Sequence, residues 1–381
     1  MGTVLPFSSF YFFMLSFGFI AFLYILKYTK LSQIIAYKYI LFIAIIAYIH
    51  YCIPHASSNA IFFFLLYTYS IYWIFVKNNY DEILFPMVVI ALPMILYKFD
   101  VGSMYKIIGI SYITFRSIQA MVDSKNYGSM SFVEFTSFLL FPTTLLAGPI
   151  DRSYRFKEDL EKGYTNLTLD NALKGWELLI VGILFKFIFA ETVDRFWLSN
   201  SDAGSKHILD MINSGYAYTT YLYFDFAGYS AMAVGLSIMV GIFVPINFNQ
   251  PYLAPNPQDF WRRFHITLGS WLTDYFFKPL YKYLHGFKIL KGRRLLIQNI
   301  SIISTFLLMG MWNGLTWYYI FSGFLFGLYS AIHNSYVLYV KKGGYDIFTY
   351  FPAMVSINLK RFLMINAAVL ALYFFSGRVP I

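Results

Sequence analysis

The sequence predicts an all-α polytopic membrane protein, and three observations carry that prediction. Of 381 residues, 59% are apolar and only 13% charged, against about 25% charged in an ordinary soluble domain; mean hydropathy is +0.58. The chain holds 42 Phe, 34 Tyr and 7 Trp, rings that suit lipid and its interfaces. Finally, the apolar runs are longer than the alternating segments of about ten residues that a membrane β-barrel needs, so they read as helices.

Taken in order, apolar segments fall at roughly 7–26, 39–53, 59–76, 83–97, 104–122, 132–147, 174–190, 217–243, 297–311, 314–340 and 351–375. That is about 10–11 helical segments, several shorter than the roughly 20 residues needed to cross hydrocarbon. The first has no positive n-region before it and no small-residue cleavage site after it, so it reads as a retained span. Neither an internal repeat nor a low-complexity linker interrupts the chain, and a single membrane-embedded domain over 1–381 is expected, with N-terminal helices over 1–100. The one cysteine, Cys52, excludes an intrachain disulfide and a Cys-rich metal site. The six histidines form no tight pair at i, i+4, and no metal is predicted.

The net charge of +10 would suggest nucleic acid in a soluble protein. Here the basic residues sit between apolar spans, which points to cytoplasmic loops and not to nucleic acid. The loop with Lys27, Lys30 and Lys38 lacks acids, and 250–296 sets Arg262, Arg263, Lys278, Lys282, Lys288, Lys291, Arg293 and Arg294 against Asp259 and Asp274. Both should face the cytoplasm, yet an odd number of apolar segments separates them. One segment is therefore expected to be re-entrant, either 132–147, which meets Pro142 and Gly148-Pro149, or the short 39–53. Such backbone survives at membrane depth only inside protein or along a wet cavity.

Polar residues enter the membrane in four blocks. In 109–119, Arg116 and Gln119 lie three apart on one helix face; a helix end with Arg116 snorkelling to headgroups is the plainer alternative. In 141–152 prolines break the helix, and Asp151 and Arg152 can satisfy each other. In 221–230, Asp225 interrupts a long apolar span with Tyr229 and Ser230 about a turn away, either as a functional group or as a packing network; Gly228 and Gly235 permit close helix approach. In 255–274, a helix would put His265 on one face with Trp261 and Arg262, where it could be a ligand, a base or a core imidazole. A further polar stretch, Trp312-Asn313-Gly314, lies between two apolar runs.

Together these blocks, with Phe375-Ser376-Gly377, resemble the membrane-bound O-acyltransferase (MBOAT) family, and within it the D-alanyl-transfer branch, DltB. The resemblance covers residues 109 to 377, so 101–381 is expected to be the family core. It implies a ring of helices around a central funnel or tunnel in a multi-pass protein of the bacterial cytoplasmic membrane. It also implies transfer of D-alanine, or a similar small acyl group, to a hydroxyl of a cell-envelope polymer or acceptor protein. The donor would be a phosphopantetheine thioester on an acidic carrier protein, with no cofactor bound by the chain itself and a downstream membrane acyl-transfer partner. Arg116, Gln119, Asp225, Tyr229, Ser230, Trp261 and Trp312 are expected along the substrate tunnel. Phe276, Phe277, Lys278 and Lys282 combine aromatic and basic character suited to docking an acidic carrier, or to the headgroup layer.

The sequence departs from the family at its signature Trp-His-Gly, where Asn313 replaces the histidine. Phe326 stands where the following helix would carry a second histidine, and His333 lies two turns further on. A neutral imidazole would remove the acceptor's proton, and its loss typically costs on the order of 10²–10⁴ in rate. Three readings follow: an inactivated variant, a rearranged site with His265 as base and Asn313 orienting substrate, or a non-catalytic subunit that binds the acyl carrier. A transporter or flippase is the rival from another class.

Overall fold

The computed structural model describes residues 4–80, 82–99 and 107–380. The first residues of the expected 104–122 segment and the expected boundary at 100/101 lie outside these. Every named element is helical, and one isolated bridge, Phe248 to Phe264, is the sole β pairing among the described residues. The chain is an all-α polytopic protein. Five helices are long and apolar enough to cross a membrane: Phe10–Lys27, His55–Lys77, Ile208–Met239, Arg294–Asn313 and Ala353–Phe375. Tyr37–Cys52 and Leu84–Lys98 are shorter apolar helices.

Contacts divide the chain into two compact units. The first comprises residues 1–183 and 228–246. Phe7, Phe12, Leu179, Met232, Ala233, Leu236 and Met239 form its buried cluster, with Tyr48 and Tyr229 packed against it. Small residues set the approach of Leu169–Ile183 to the end of Ile208–Met239. A Cβ on Gly175 would fall 2.7 Å from the Gly235 carbonyl oxygen, and one on Gly182 would lie 2.7 Å from that of Gly228. The expectation for Gly228 and Gly235 thus holds, because two helix backbones touch where no side chain intervenes.

The apolar run 132–147 is broken in this unit. Ser131 and Glu134 form a reciprocal capping box that starts Phe132–Leu139, and Pro142 opens a single 3₁₀ turn, Pro142–Thr144. An eight-residue helix rises only about 12 Å, well short of the roughly 30 Å hydrocarbon thickness.

The second unit comprises 184–227 and 247–381. Its core gathers Ala254, Phe260, Phe264, Phe326, Met364, Ala368, Ala371 and Leu372. Arg294–Asn313 and Trp317–Lys341 form a tight hairpin in which Gly310 and Gly323 meet backbone to backbone. Two side-chain amides tie the same pair: Asn334 donates to Asn299 at 2.7 Å, and Asn299 donates to Ser335 at 2.8 Å. Leu184–Ala190, Asp194–Leu198 and Thr273–Phe277 are wound as π-helix, a geometry frequent near functional sites.

Candidate active site

In the first unit the predicted polar residues hold the broken segment together. Arg116 is 1% exposed. Its guanidinium donates to the carbonyl oxygens of Phe138 (3.1 Å), Leu139 (3.2 Å) and Thr144 (2.7 Å). Gln119, one turn on, donates to the Asp151 carbonyl at 2.7 Å. The shared face read from the sequence is real, but Arg116 does not snorkel. A helix that stops at Leu139 leaves its last carbonyls without intrahelical donors, and a buried guanidinium supplies them.

Asp151 departs from expectation as well. Its carboxylate accepts from the Arg155 guanidinium, one helical turn away, and from the Arg152 backbone N–H at 2.6 Å. Thus Arg155, and not the Arg152 side chain, is its ion-pair partner. Burial pushes the carboxyl up to about 6, with Arg155 drawing it back down. Tyr229 packs edge-on to Phe7 at 4.8 Å. Ser230 is buried, and its hydroxyl has no hydrogen-bond partner among the described residues.

The second unit holds Asp225, Trp261, His265, Trp312 and Asn313. Asp225 pairs with Lys186 from the π-helical Leu184–Ala190. Lys186 was not singled out from the sequence, although a lysine inside the apolar run 174–190 is itself a signal of a buried partner or a wet path. The neighbour Phe226 stands edge-on to the His265 ring at 4.7 Å.

The expectation that Trp261, Arg262 and His265 share a helix face is corrected. The helix Pro257–Trp261, capped by Asn256, stops there, and His265 adopts a left-handed conformation (φ +48) before Ile266–Leu272 begins. Asn247 holds the turn: its carbonyl accepts the Ile266 N–H at 3.0 Å, and its side-chain oxygen takes the Thr267 N–H at 3.1 Å and hydroxyl at 2.9 Å. A right-handed helix cannot pass through a left-handed residue, so the His265 side chain parts from those of Trp261 and Arg262. Burial pushes the His265 imidazole down to about 3, and its Nε2 has no partner among the described residues.

A pocket of about 550 Å³ opens within this unit. Its lining includes Trp261, Arg262, Ser270, Met309, Phe277 and His333. The buried Trp261 Nε1–H has no acceptor among the described residues. Asn313 ends the helix Arg294–Asn313 one turn beyond Met309, is exposed, and donates to the Met309 carbonyl at 2.8 Å. Trp312 is half-buried beside it. Phe326 lies in the core, its ring 4.9 Å from that of Trp261.

Of the expected docking residues, Phe276 is half-buried, and Phe277 lines the pocket and stacks on Tyr281. Lys278 pairs with Asp274 at 2.7 Å, and Lys282 is exposed. The helix Lys278–His285 buries no residue.

Comparison with known proteins places these features. The MBOAT, membrane-bound O-acyltransferase family, model matches residues 110–376. The teichoic acid D-alanyltransferase of Bacillus subtilis (strain 168) is 35% identical over 60% of this chain and 58% of its own length. That of Streptococcus thermophilus is 32% identical over 70% of this chain and 65% of its own. The peptidoglycan O-acetyltransferase of Helicobacter pylori is 34% identical over 54% of this chain and 38% of its own. The chain thus matches less than two thirds of the length of each of these relatives. The family match alone spans more than half of the chain, from the helix bearing Arg116 to Ser376, and the chain belongs to the membrane-bound O-acyltransferase family.

Proposed function

We propose that the protein is an O-acyltransferase that moves D-alanine, or a similarly small acyl group, from a carrier-protein thioester to a hydroxyl of a cell-envelope acceptor. The family match and the names of the D-alanyltransferase relatives support this reading. The observation that carries it in this chain is the pocket of about 550 Å³ lined by Trp261, whose buried indole N–H has no acceptor among the described residues. A donor aimed at the oxygen where charge develops is what acyl transfer uses. The thioester would arrive on phosphopantetheine from an acidic carrier on the cytoplasmic face, with Lys282 among the steering cations, and a downstream membrane partner would pass the group on.

By the resemblance Asn313 occupies the signature position, and one of its two amide hydrogens is given to the Met309 carbonyl of its own helix. That favours slow turnover, and it is the observation behind a second reading as a non-catalytic carrier-binding subunit. The test is ester formation by the protein and by Asn313→His in proteoliposomes given a carrier thioester and a hydroxyl acceptor. Restoring the histidine should raise the rate by on the order of 10²-fold or more. No gain, with the Asn313 protein turning over fully, would remove the general-base assignment at 313. Absence of transfer by both would leave the carrier-binding reading.

A further inference from the structure

We propose that His333 is the proton acceptor for acyl transfer in this chain, taking over at the wall of the 257–337 pocket the task that Asn313 cannot perform. The proposal rests on the acyltransfer reading above and adds to it the residue that does the work.

Position comes first. His333 is the one histidine lining the pocket among the described residues, and Trp261, whose buried N–H has no acceptor among them, lines the same space. His265 does not line it: the left-handed turn carries that ring against Phe226 instead. His333 makes no hydrogen bond among the described residues, so its ring nitrogens are available. Its own helix is held in place just beyond it, where the Asn334–Asn299–Ser335 chain fastens it to Arg294–Asn313. A base on a helix fixed by packing and second contacts keeps its geometry. His333 also lies seven residues, or two helical turns, beyond Phe326, so both face the same side of that helix.

The step balances as follows. The acceptor hydroxyl oxygen attacks the thioester carbonyl carbon, and its proton passes to a ring nitrogen of His333. The carbonyl oxygen gathers negative charge and gives it back as the tetrahedral centre collapses. The C–S bond breaks as the C–O bond is completed, and the leaving thiolate takes the proton from the imidazolium. An ester and a thiol result, with the imidazole neutral again. No other reactant is needed.

The charged group that acts on His333 is Lys360 from Ala353–Phe375; Arg262 and Asp274 line the same pocket, and Asp274 is paired to Lys278. Positive neighbours favour the neutral imidazole that a base requires.

The experiment is a two-by-two comparison in proteoliposomes of the protein, His333→Gln, Asn313→His and the double variant, with a carrier thioester, a hydroxyl acceptor and a thermal-unfolding control. His333→Gln should lower transfer by on the order of 10²-fold in the Asn313 background, and abolish the fall in rate at low pH. In the Asn313→His background, where another imidazole serves, the same substitution should cost far less. An equal loss in both backgrounds marks a structural role and overturns the proposal, as does no loss in either. Transfer by Asn313→His but not by the Asn313 protein overturns the proposal while leaving the acyltransfer reading intact. No transfer by any variant defeats both.

Discussion

Replacing Arg116 by methionine tests how the broken segment is held. The guanidinium serves three carbonyl oxygens, those of Phe138, Leu139 and Thr144. Methionine fills the space but donates nothing. A buried carbonyl left without a donor costs about 1–3 kcal/mol, so three of them would sum to several kcal/mol. Against this stands relief from burying a charge whose Nε has no partner among the described residues. Balancing the two, we expect a net loss of about 3 kcal/mol. Gln119→Leu provides the scale: it removes one bond, to the Asp151 carbonyl, and frees a buried unpartnered oxygen, so it should cost about 1 kcal/mol. Lysine at 116 should fall between, since a single ammonium replaces a planar fork. Unfolding in detergent can be followed by labelling Cys52, the half-buried lone thiol. A midpoint for Arg116→Met equal to that of the unsubstituted protein, or a larger loss for Gln119→Leu, would refute the clamp.

Asp225→Ala should destabilise by leaving Lys186 unpaired, whereas Lys186→Met with Asp225→Leu should return to within about 1 kcal/mol of the starting stability; a double variant as weak as the single would show that the pair is not the reason. Phe276→Asp should weaken capture of the acidic carrier without altering transfer from a short soluble thioester. Phe277→Asp should lower both, because that ring also lines the pocket; unchanged capture by both variants would refute docking at this place. Gly323→Ala would press a methyl against the Phe306 carbonyl and to 3.2 Å of the Gly310 backbone, and should lower thermal stability by about 1–3 kcal/mol; an unchanged melting curve would show that the hairpin has room to spare.

The long helices were readable because lipid demands continuous apolar runs: segments 7–26, 297–311 and 351–375 became Phe10–Lys27, Arg294–Asn313 and Ala353–Phe375. The break near 142 was readable too, since proline and Gly-Pro cannot continue a helix. What failed depended on contacts distant in the chain. Arg116 could have been a snorkelling helix end until its acceptors, 22 to 28 residues away, were placed around it. His265 looked helical because local pattern does not reveal a left-handed residue, here stabilised by Asn247 from another segment. His333 carried no signal, for only folding brings it to the pocket wall that Trp261 shares.

The central claim is that the protein forms an ester bond. Purified protein in sealed liposomes, supplied with a carrier thioester labelled in its acyl group on one side and a hydroxyl acceptor on the other, tests it most directly. The account predicts labelled ester on the acceptor, with free carrier thiol appearing in equal amount. Acceptor or acyl carrier crossing the bilayer while all label stays in thioester linkage would contradict it and make the protein a transporter.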